Sequence, residues 1–101
     1  MSTLGAELQK TIRNLEKLRD SQHSLSDELL SLLDKLYEQQ IELIDAAIKK
    51  DTPKYIAATH ALSEAAARTH AAINDLATLD KAIKKVADAI GKITRLLAAV
   101  A

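Results

Sequence analysis

From Tyr55 onward, positions seven apart form two interleaved, mostly apolar sets. One is Tyr55, Leu62, Thr69, Leu76, Ile83, Ile90 and Leu97; the other is Ala58, Ala65, Ala72, Leu79, Val86, Ile93 and Val100. A repeat of that period lays both sets along one seam of an α-helix. Unbroken over about 53–99, such a helix would span ~70 Å at 1.5 Å per residue. The preceding half repeats the pattern with polar interruptions: Leu8, Leu15, Gln22, Leu29, Leu36, Leu43, and Thr11, Leu18, Leu25, Leu32, Gln39, Ala46.

One segment punctuates the chain. Asp51-Thr52-Pro53 follows Lys49-Lys50 and opens the long periodic run. Proline at the first helical position lacks an N–H that would go unpaired there, and a preceding Asp or Thr caps the free amides. The two lysines complement the negative end of a helix that stops near Lys50. The sequence therefore predicts an all-α fold, a long antiparallel helical hairpin forming a single domain over 1–101. Its arms run over about 3–50 and 53–99. A kink or break is allowed near residues 21–26, where Ser24 and Asp27 have the spacing of a capping box.

Folding the arms about this turn sets level those residues whose numbers sum to about 103. Bulky Leu29 to Ile48 then faces the alanines of 57–72, and the thin stripe Leu4, Leu8, Ile12, Leu15, Leu18 faces Ile83 to Leu97. Large against small fills volume at both ends. The bulky residues from Leu29 to Ile48 nevertheless spread over roughly 180° of a helical wheel, wider than a two-helix seam covers. The surplus is Leu30, Leu33, Tyr37, Ile41, Ile44 and Ile48, the candidate interaction stripe. A contiguous stripe of this kind on a monomer is an aggregation liability. The expectation is that two hairpins pair into a four-helix bundle, as a homodimer, with a heterologous helical partner as the alternative.

Composition supports helices. Leu, Ile and Ala carry the apolar content, with no Phe, Trp or Cys and two Tyr. The 14 basic and 14 acidic residues cancel, which removes the simplest electrostatic case for nucleic acid or membrane binding. The cancellation hides an asymmetry. Residues 1–22 with 78–101 carry nine basic and five acidic groups, whereas 23–77 carry five and nine. Two hairpins with opposite ends of opposite sign favour lying head to tail. The first residues lack a basic region followed by an apolar run, so no signal peptide is expected and the cytoplasm is the default location.

The search for chemistry yields little. His23, His60 and His70 are too far apart to chelate from one helix turn, and each would meet at most one acid, Asp80 for His23 and Glu42 for His60. Asp34, Glu38, Glu42 and Asp45 make a ridge without the Glu-x-x-His of di-metal bundles, and read as a solvated face. There is no cysteine, no nucleophile elbow, and only Gly5 and Gly91, so no phosphate-cradling loop. Gly91 reads as a tolerated helix glycine. No enzyme activity, cofactor or metal is expected. The basic residues Lys10, Arg13, Lys17, Arg19, Lys81, Lys84, Lys85, Lys92 and Arg95 lack interleaved aromatics and read as a solvated flank. Leu79–Ala101 has the amphipathic look of a membrane-surface helix, but its phase continues the seam, which favours core. In size and format the chain resembles the small secreted helical hairpins whose turn carries Trp-x-Gly. Here the turn is Asp51-Thr52-Pro53, so the likeness is one of format. The function expected from the residues is that of an interaction or assembly module. A regulator or secretion-associated protein binding another helix is the alternative, and a nucleic-acid or membrane-surface binder the least favoured.

Overall fold

A computed structural model describes residues 3–21, 27–46, 48 and 52–100. Four helices account for nearly all of them: α1 over Leu4–Ser21, α2 over Asp27–Asp45, α3 over Pro53–Asn74 and α4 over Leu79–Val100. The described residues contain no strand. The fold is all-α, with the four helices packed against each other on one core.

The long hairpin is corrected. The molecule measures 40 × 23 × 17 Å, not the ~70 Å of an unbroken arm. The second arm breaks after Asn74, where Asp75 adopts an extended conformation (φ −147°, ψ 95°). Its N–H closes α3 on the Ala71 carbonyl, and its carboxylate accepts from the Ala77 N–H at 3.1 Å. One aspartate thus terminates α3 and caps the single 3-10 turn, Leu76–Thr78, that leads into α4. The heptad keeps phase through this point, yet Leu76 stands 53% exposed. In the first arm, α1 and α2 are separate helices packed on one another; the break allowed at 21–26 falls, after Ser21, outside the described residues.

The predicted start of α3 holds. Pro53 is its first residue, and the Thr52 hydroxyl accepts from the Tyr55 N–H. The predicted stop of the preceding helix near Lys50 does not, because α2 ends at Asp45. Ala46 still bonds back to Glu42, but the Ile48 N–H turns to the Ala46 carbonyl, and the Ile48 side chain packs against the core.

Pairing of the helices differs from the fold-back about residue 51. Principal contacts join α1 to α2, α3 to α4, α1 to α3 and α2 to α4. The molecule is two short hairpins laid side by side. Hydrogen bonds fix the direction across the α1–α3 seam. The Leu4 N–H donates to the Tyr55 hydroxyl, Thr11 Oγ1 to the Leu62 carbonyl and Asn14 Nδ2 to the Ala66 carbonyl. The steady offset means that α1 and α3 run parallel. Leu8, Ile12, Leu15 and Leu18 therefore pack beside Ala58, Ala61, Ala65 and Ala72, all buried. Large still meets small, with a partner other than the one expected. Across the second seam, α2 contributes Leu29, Leu33 and Leu36 to α4's Ala82, Val86, Ala89 and Ile93.

The two parallel seams carry the same polar device. Asn14 Nδ2 donates to the Ala66 carbonyl (3.0 Å) and the Thr69 hydroxyl (3.1 Å). Gln39 Nε2 donates to the Ile90 carbonyl (3.1 Å) and the Thr94 hydroxyl (3.0 Å). Each threonine passes its own proton to a carbonyl one turn earlier. The interruptions Thr11, Gln39 and Thr69 are thus buried pins between neighbouring helices, not lapses in the pattern.

Candidate interaction surface

The expected stripe is divided by the fold. Leu33 is buried at 2% exposure and Leu30 is half-buried. Tyr37 is half-buried, and its hydroxyl donates to Glu16 Oε2 on α1 at 2.6 Å. That hydrogen bond, then burial, holds the Tyr37 hydroxyl above the usual tyrosine range, against an opposing pull from Arg19. Ile48 packs against the core. Tyr37 is thus held to α1, while Leu33 belongs to the common core. Ile41 and Ile44 alone stay open, at 65% and 79% exposure.

Their surroundings are acidic. Glu38, Ile41, Glu42 and Asp45 follow at steps of three, one and three residues, which places them on one face of α2. Ile44 lies beside them, three residues beyond Ile41. All five are exposed. Glu38 meets Lys35 at 3.6 Å, while Glu42 and Asp45 make no ion pair among the described residues. Over its whole length α2 carries six carboxylates and one lysine.

Basic residues do not gather at one open end, because α1 and α4 sit diagonally and are not principal neighbours. Several of them line two separate grooves. Lys10, Arg13, Lys17 and His70 line a groove between α1 and α3, over a floor that includes Ser63, Ala66 and Ala67. Glu7 lies in the same groove, 4% exposed and 3.6 Å from Lys10. Lys54, Ala57, Lys92 and Arg95 line a second groove, of about 260 Å³, between α3 and α4. Ile56, the neighbour of Ala57, is 57% exposed. The sequence carried a signal for this second groove in the cations Lys92 and Arg95 near an arm's end. Its assembly needed the fold-back that brings α4's last turns beside α3's first.

No family model, curated protein or solved structure matches the chain.

The titratable groups organise helix pairs. Glu64 on α3 meets Lys85 on α4 at 3.2 Å and His60 on its own helix at 3.3 Å. The Lys85 hydrogen bond is the main reason that the Glu64 carboxyl sits below its ordinary range, with His60 adding a little. His60 thus pairs with Glu64, not with Glu42; His70 lines the α1–α3 groove; His23 is outside the described residues. Among the described residues no three His, Asp or Glu side chains converge as metal ligands. The ridge Asp34, Glu38, Glu42, Asp45 is exposed throughout. The α4 seam residues Ile83, Val86 and Ile93 are buried, so their apolar side is spent on the core. No described helix is long and apolar enough to cross a membrane.

Proposed function

We propose that the chain is a non-enzymatic protein-interaction module that docks a partner on the exposed strip of α2 formed by Ile41 and Ile44. One observation carries the reading. Two β-branched apolar side chains, 65% and 79% exposed, stand three residues apart on a formed helix, while every leucine of that helix is buried or half-buried. Scattered apolar residues are ordinary on protein surfaces, but an adjacent pair framed by charge has the make-up of an interface centre with a polar rim. An extended helical partner would bring its apolar side to this strip, as in helix-to-groove recognition. The same strip serves an assembly subunit or a small regulator of another helical protein, and both read as binding without chemistry.

The experiment replaces the pair. Ile41→Ser with Ile44→Ser removes apolar surface that contributes little to the fold, so thermal unfolding stays within about 1 kcal/mol of the parent. Every complex the parent forms in solution, with itself or with another protein, weakens at least about tenfold. Complexes that persist unchanged in the double variant would remove the strip as the docking surface.

A further inference from the structure

We infer that the occupant of the α2 strip is a second copy of this chain, seated head to tail in the groove between α3 and α4. The inference rests on reading the strip as a docking surface, and adds the partner. Charge complementarity within a single molecule carries it. The strip offers Ile41 and Ile44 among Glu38, Glu42 and Asp45. The groove offers Ala57 with Lys54, Lys92 and Arg95. Three carboxylates thus face three cations around apolar centres. Lys92 leans on Asp88 at 3.9 Å; Lys54 and Arg95 make no ion pair among the described residues. The stems of the two lysines and the arginine extend the apolar floor while their charges stay in water.

The same charges disfavour the symmetric alternative. An α2-on-α2 dimer would set Glu38, Glu42 and Asp45 against their own copies, with Lys35 the one cation on that helix. Strip and groove lie on different faces, so their contact is heterologous, and repetition gives a ring or an open string of copies. Each face is small, which places the contact among weak, salt-sensitive associations.

Light scattering on the full chain tests this with paired charge reversals. All four altered side chains are exposed or line the open groove, and circular dichroism checks that each variant keeps its helices. For the parent, mass at ~0.5 mM protein and low salt rises at least ~1.5-fold above the 11.0 kDa monomer, and returns to it in about 0.5 M salt. Glu42→Lys with Asp45→Lys spoils the strip; Lys54→Glu with Arg95→Glu spoils the groove. Each variant alone stays monomeric. Mixed, they associate again, because the native strip of one meets the native groove of the other, and the reversed strip and reversed groove are also opposite in charge. A groove variant that still dimerises alone would overturn the inference in favour of a symmetric contact. A parent that stays monomeric throughout would also overturn it. If that monomer binds a different protein through Ile41 and Ile44, the docking reading survives without the inference; if it binds none, both fall.

Discussion

At the scale of single residues, the two amide pins make contrasting demands. Asn14 is half-buried and its amide nitrogen is fully engaged with Ala66 and Thr69. Gln39 is 1% exposed, and although its nitrogen is engaged, its Oε1 meets no donor among the described residues. A buried acceptor without a donor costs about 1–3 kcal/mol, which cancels much of what the two donated bonds contribute. Replacing Gln39 with Met keeps the volume and removes the orphan. The Ile90 carbonyl and the Thr94 hydroxyl stay bonded to each other without it. Chemical denaturation should therefore find Gln39→Met within about 1 kcal/mol of the parent or more stable, whereas Asn14→Ala loses about 1 kcal/mol. A loss above ~2 kcal/mol for Gln39→Met would mean that Oε1 has a partner in solution. Gly91 offers an independent gain. It lies inside α4, and a Cβ added there would meet, beyond its own helix backbone, no atom of the described residues within 4 Å. Gly91→Ala should raise stability by about 1 kcal/mol through the smaller backbone entropy lost on folding.

At the scale of elements, a polar pair of the same sequence separation spans each antiparallel seam, Glu16 with Tyr37 and Glu64 with Lys85. The second pair gives a pH dependence with a definite sign. Glu64 has a lower pKa in the folded chain than its ordinary value, so its contribution is complete above the ordinary carboxylate range. It disappears as pH falls through the depressed folded value. Glu64 is well exposed, and the effect is accordingly small. Thermal melts of parent and Glu64→Gln should differ near neutrality and converge as acid protonates Glu64. A gap that persists at the acid end would assign the difference to packing instead of charge. What the sequence revealed at this scale follows from the range of the signals. Helix identity, the Thr52–Pro53 start and the buried α4 face were legible, because periodicity and capping are local. The turn at Asn74–Thr78 was not, because Leu76 and Leu79 keep the heptad in phase across it. The clue was Asp75, a residue as ordinary on a helix surface as it is effective at a cap. The candidate interaction stripe was legible as apolar surface of α2, not as an interface. Its breadth belongs to α2, but local periodicity does not say that the fold would bury Leu33, half-bury Leu30 and Tyr37, and leave Ile41 and Ile44 exposed.

At the scale of the whole molecule, the decisive difference is between one long fold-back and two short ones. Both arrangements bury leucines against alanines and both place four helices around a core, so composition does not separate them. Length does. A hairpin with ~70 Å arms is a rod, whereas the folded chain has a radius of gyration of 13.1 Å over its described Cα atoms and a longest dimension of 40 Å. Small-angle scattering at low protein concentration and high salt, where copies are apart, should return a compact particle close to that size, with a pair-distance distribution ending near its long axis. A rod-like distribution reaching ~70 Å would instead mean that the α1–α2 and α3–α4 turns open. Opening them would expose α2's leucine face, and the molecule would then need a second hairpin to cover Leu30, Leu33 and Tyr37. The two states are exchangeable in principle, because the same residues fill the core within one chain or between two. Adding salt decides between them in association as well: contact through the α2 strip and the α3–α4 groove weakens as salt screens its charges, whereas exchange of whole hairpins buries leucine and alanine and is insensitive to salt. A dimer that survives about 1 M salt, where the screening length is ~3 Å, would therefore point to exchanged hairpins, and one that dissolves well below it to compact copies meeting through charge.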